Sequence, residues 1–131
     1  MEIAFRAALI AWLAADSALA SGLNAIVEEA PSRTALPWLA LTASASTDWG
    51  TKDLRGREVR VALELNYRGD DPLSEAALVA AIERRVEAMP ADQSAAGFRL
   101  VNLTFMRAKA EQRGEALRAL MLDYRARVLA A

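Results

Sequence analysis

The stretch Glu58–Arg68 (EVRVALELNYR) alternates without interruption. Val59, Val61, Leu63, Leu65 and Tyr67 point one way; Glu58, Arg60, Ala62, Glu64, Asn66 and Arg68 point the other. A period of two held over that length fits a strand with one face on a core and one in solvent. The fold must therefore contain a sheet with an apolar layer on one side. Gly69-Asp70-Asp71-Pro72 ends the strand and predicts a helix start, with Asp71 as N-cap and Pro72 at the first helical position. Leu78, Val79, Ile82, Val86 and Met89 then form a helical stripe, Glu75, Glu83, Arg84 and Glu87 mark the wet side, and Pro90 terminates it.

The remaining elements follow from the same two periods. Residues 3–20 (IAFRAALIAWLAADSALA) are the most apolar stretch. Arg6 and Asp16 argue against a membrane span, since each costs about 2.5–3.5 kcal/mol near its centre. We read an amphipathic helix with Ile3, Ala7, Ile10 and Ala14 on one face, widened by Phe5, Leu9, Trp12 and Leu13, and stopped by Ser21-Gly22. The competing reading is a signal peptide, with Ala18-Leu19-Ala20 as its cleavage site. Pro31 and Pro37 bracket a loop. Trp38–Ser46 alternates small and polar residues (Trp38, Ala40, Thr42, Ser44) with apolar ones (Leu39, Leu41, Ala43, Ala45) and predicts a strand. Thr47–Arg57 is an exposed connection. Phe98–Arg107 reads as a strand, while Glu115–Val128 fits a helix and a strand about equally well. The expected fold is a single α+β two-layer domain over residues 1–131. Its order is α-β-β-α-β-β, with an antiparallel or mixed sheet and the helices on one face.

Composition narrows the chemistry. The chain of 131 residues holds no Cys and no His, which removes disulfides, thiolate metal sites and every mechanism built on an imidazole base. Phosphate-binding and nucleophile-elbow motifs are absent. Asp70-Asp71 reads as a cap and Glu28-Glu29 as a solvated face; neither pair converges on a reacting bond. Arg84-Arg85 reads as a soluble helix face rather than a phosphate grip. Arg99, Arg107, Arg113, Arg118, Arg125 and Arg127 cluster late in the chain, but Glu111, Glu115 and Asp123 offset them, and the net charge is −1. That mixture suits arginine–carboxylate pairs across a subunit boundary better than a nucleic-acid reader. The expectation is a small non-enzymatic module without cofactor or metal, acting through its surface.

Trp12 and Trp38 lie in regular elements and are simplest as core. Trp49 sits in a polar connection beside Lys52, Arg55 and Arg57, where an aromatic is a typical partner anchor. Burial under the loop is the competing use.

These pieces resemble the small tail-completion, or tail-terminator, proteins of long-tailed phages. The resemblance rests on the Ala-rich first helix, the strand start Leu36-Pro37-Trp38-Leu39 and the connection Thr47-Asp48-Trp49-Gly50-Thr51-Lys52. Gly56-Arg57-Glu58 then leads into the alternating strand. It implies a hexameric ring at the head-proximal end of a tail tube, which stops tube polymerisation and joins the tail to the head-neck connector or stopper. Its partners would be further copies of itself, the tube protein and the connector. DNA would pass through the lumen without specific binding, and no membrane would be involved. The location would be the virion tail-neck region, after assembly in the bacterial host cytoplasm. The resemblance also favours a strand for Glu115–Val128. Asp48, Trp49, Lys52, Arg55 and Arg57 are the expected contacts to the tube or a neighbouring subunit. Of sixteen basic residues only Lys52 and Lys109 are lysine, which suits a GC-rich bacterial genome and makes a gene transfer agent a plausible owner. The alternative class is a secreted or periplasmic binding domain with residues 1–20 as signal peptide.

Overall fold

The computed structural model describes residues 1–131. Its framework is a curled sheet of six strands in the order β1-β2-β3-β6-β5-β4. The long strands are β2 (Trp38–Asp48), β3 (Gly56–Arg68), β5 (Phe98–Gly114) and β6 (Leu117–Ala130). All of their mutual pairings are antiparallel. Two-residue strands trim the edges: β1 (Ile26–Val27) runs parallel to β2, and β4 (Asp92–Gln93) pairs with β5. The sheet is thus mixed, and the predicted order of long elements stands with four short additions. One of these is a second small helix. Of residues 115–128, all from Leu117 on lie in a strand, and β6 is a central one, because Leu120, Leu122, Tyr124, Ala126 and Val128 match the core face of β3.

Helices α1 (Glu2–Ala14), α2 (Ser17–Gly22) and α3 (Ala76–Glu87) cover one face of the sheet. The buried stripe of α1 is Phe5, Leu9 and Leu13, not the expected Ile3–Ala7–Ile10–Ala14 face; Ile3 is 75% exposed. Both stripes are apolar, and the larger side chains take the inside because each buried methylene contributes about 0.8 kcal/mol. Removing residues 1–20 would strip Phe5, Leu9, Leu13 and Leu19 from the core, so this segment works as structure. The first helix also ends earlier than expected. Asp16 accepts hydrogen bonds from the Ala18 and Leu19 amides and caps α2.

Helix α3 begins at Ala76, several residues after the expected start. Asp71 instead accepts from the Leu73 amide in a preceding turn. Ile82, Val86 and Met89 are buried as predicted, with Leu78 and Val79 half-buried.

A bulge at Thr42 alters the count along β2. Leu39 and Leu41 face the helices opposite Leu65 and Leu63; beyond the bulge, Ser44 and Ser46 take that face opposite Val61 and Val59. The serines, expected outside, therefore meet α1. Ser44 donates to Glu2 at 2.7 Å and accepts from Arg6 at 3.2 Å, and Arg6 also reaches Glu28 at 3.1 Å. Strand β5 holds further register shifts at Val101, Met106 and Arg113. Bulges increase local twist and bend the sheet.

Candidate interaction surfaces

Two surfaces are built on this frame. The first is the tip of the β2–β3 hairpin. Trp49 donates to the Gly56 carbonyl at 3.1 Å and Thr51 to the Leu54 carbonyl at 2.8 Å, while the Thr51 hydroxyl accepts from the Leu54 amide. The closure depends on Gly50, where a Cβ would lie 2.6 Å from the Leu54 carbonyl oxygen and 2.8 Å from the Gly56 nitrogen. Both are backbone atoms with nowhere to go.

The structure separates the five expected contact residues. Asp48, Arg55 and Arg57 come together with Met1 around a shallow depression of about 380 Å³. Arg57 is exposed and donates to Ser46 at 3.1 Å. Lys52 lies apart from them on the turn and is exposed. Trp49 is half-buried with the Arg127 guanidinium 5.5 Å above its ring, so part of its surface is used within the chain and part stays open. Trp12 and Trp38 are also half-buried rather than core.

The second surface is the sheet face that carries no helix. Here four of the late arginines, Arg107, Arg113, Arg125 and Arg127, find carboxylates within the chain, whereas Arg118 reaches only the Gly69 and Asp70 carbonyls and Arg99 has no carboxylate within 4 Å. Arg127, Arg125 and Arg60 converge on Glu58 at 3.1, 3.9 and 3.8 Å. Arg107 pairs with Asp123. Lys109 lies 3.4 Å from Glu111. Arg113 reaches from β5 across β6 to Glu64 at 2.8 Å and also meets Glu111 at 3.0 Å. Six cations thus share four carboxylates within 4 Å, while Arg68 and Arg99, which the register sets on the same face, have none. Within the chain the pairing runs across strands, because neighbouring strands lie only about 4.8 Å apart. Glu58 and Glu64 were missed as anchors, since only strand register brings them beside arginines more than forty residues away.

A shallow trough of about 530 Å³ crosses this face, with Ala43, Ala45 and Ala62 as floor and Arg60, Arg107 and Asp123 as walls. No group of three or more His, Cys, Asp or Glu side chains is arranged to hold a metal ion. No helix is long and apolar enough to cross a membrane.

The sequence profile of the family described as tail completion protein gp17 matches residues 7–129, spanning both surfaces. The chain belongs to the tail completion protein gp17 family. It is therefore a structural protein of a phage-type tail, as the sequence resemblance implied. No curated protein matches the chain. Among solved structures, a chain from the virion of a native gene transfer agent particle has a similar fold. The TM-score is 0.74 at 24% identity, over 95% of this chain and 94% of that one.

Proposed function

We propose that this tail completion protein forms a hexameric ring that caps the head-proximal end of a tail tube. The ring stops addition of further tube subunits and offers its other side to the head-neck connector. The observation that carries this reading is the family match over residues 7–129. The likeness to a chain of a gene transfer agent virion supports a particle of that type as the setting, with the protein in the tail-neck region.

The role is architectural and the action is surface complementarity. A closed ring of identical subunits needs heterologous interfaces, so each copy must present two different surfaces. The hairpin tip supplies exposed chemistry for one mating surface: Asp48, Lys52, Arg55 and Arg57, with Trp49 partly inserted behind them. DNA must traverse the ring. The uncovered sheet face suits a passage wall, since six of its cations lie within 4 Å of a carboxylate, which weakens their pull on phosphate.

The test is negative-stain microscopy of particles from a strain lacking the gene. Unjoined heads beside overlong or ragged tails are expected, with rescue by the wild-type gene. Normal joined particles would defeat the reading. Trp49→Ala in the complementing gene tests the tip: reduced joining is expected, and full rescue would remove the tip from the interface.

A further inference from the structure

The sheet has two long edges that nothing in the chain covers. On β2, the strand β1 pairs only with Leu39 and Ala40, leaving Leu41–Asp48 open. On β5, the strand β4 pairs only with Phe98 and Arg99 and the Leu100 amide reaches the Ala91 carbonyl, leaving Val101–Gly114 open. Open edges expose unpaired amide and carbonyl groups, which proteins normally protect with charge, proline or a covering element. Here the β5 edge instead carries Val101, Phe105 and Met106, each more than 40% exposed, which is half of the exposed large hydrophobic side chains in the chain.

The two edges match each other. Following the register across the sheet, Leu41 is level with Leu63, Leu122 and Ala108, and Asp48 is level with Arg57, Val128 and Leu100. The open stretch of β2 therefore lies at the same height as an open stretch of β5. The two strands run in opposite directions, since three antiparallel steps separate them. A rotation about an axis along the strands sets β5 of one copy beside β2 of the next as an antiparallel neighbour, with no rise. Size complements as well: on the uncovered face β2 offers Ala43 and Ala45, while β5 offers the long, largely exposed side chains of Arg107 and Lys109.

We infer that β2 of one copy pairs with β5 of the next, so that the subunit sheets join edge to edge into one closed sheet. Bulges at Thr42, Val101 and Met106 supply the curl that closure needs. The uncovered face, whose trough spans β2 to β5, lies on the inside, and the helices form the outer layer. This inference rests on the ring reading above and names the surfaces that close it.

The absence of cysteine permits a direct test. Ala45 and Thr104 are level, exposed and on the same face. Ala45→Cys is combined in one chain with Thr104→Cys and, to allow a register offset, with Asn102→Cys or Arg107→Cys. Purified particles are treated with a short bismaleimide and run on a denaturing gel. At least one pair should give a ladder of multiples of the 14.2 kDa chain, while single variants stay monomeric and a double variant with Ala77→Cys on α3 does not ladder. Joined particles that retain the protein but give no ladder from any pair would overturn the edge pairing and leave the ring standing. Cross-links to a particle protein of another mass would mean a different occupant and also overturn it. Particles that join normally without the protein would defeat the ring reading, and the edge pairing with it.

Discussion

Trp12 and Arg85 hold each other at both ends. The Trp12 indole N–H donates to the Arg85 carbonyl at 2.7 Å, and Arg85 Nε donates to the Trp12 carbonyl at 2.9 Å. The guanidinium carbon sits 3.3 Å from the Trp12 ring centroid. This clasp fixes α1 to α3. Arg85→Lys keeps the charge but loses the planar stack and the Nε donor, and should cost about 1–2 kcal/mol in urea unfolding. An unchanged midpoint would show that the clasp contributes nothing.

Glu58 is the one carboxylate shared by three arginines, and its side chain is only 19% exposed. Glu58→Gln should lower stability by about 1–2 kcal/mol, less than a fully buried pair because the arginines reach solvent. It should also raise low-salt retention of duplex DNA above that of the wild type, since cations on the uncovered face lose their partner. Equal retention would count against carboxylate pairing as what weakens this face's hold on phosphate.

Hydrogen bonds from Ser46 and Ser44, aided by Arg6, hold the Glu2 carboxyl below the usual carboxylate range. A depressed folded-state pKa stabilises the fold above the unfolded value, and the benefit disappears as pH falls through the folded one. Stability should therefore drop below about pH 4.5, and drop less steeply in Glu2→Gln. Parallel acid limbs in urea midpoints would refute this.

Ala116 closes the β5–β6 hairpin with a φ of +58°. A left-handed non-glycine residue carries about 1–2 kcal/mol of strain, which glycine relieves at some entropic cost in the unfolded chain. Ala116→Gly should raise stability by about 0.5–1 kcal/mol in thermal unfolding. A loss of stability would mean that the Ala116 methyl packs usefully.

The elements that were legible share one property: their periodicity is unambiguous. β3 and the lower half of α3 read directly, because misplacing Val61 or Ile82 would turn the whole apolar set to solvent. In α1 alanine lies on nearly every side, so two stripes competed and only packing volume decided between them. On β2 the alternation was real but its phase changed at Thr42, and counting cannot detect an extra residue. The tip stood out because a tryptophan among charges is conspicuous. The shared carboxylates of the uncovered face did not, because Glu58 meets Arg125 and Arg127 only once β3 and β6 are in register.

The bulge at Thr42 has a further consequence for the strand that carries it. Every cross-strand partner from Trp38 to Asp48 is assigned without Thr42, so the strand holds one residue of slack. Deleting Thr42 should leave every side chain facing as it does now. Deleting Ala45 can be absorbed by drawing Thr42 into line, which keeps Leu39, Leu41, Ser46 and Asp48 in place and turns over only the residues between. In this edge strand, a loss of length need not become a loss of phase.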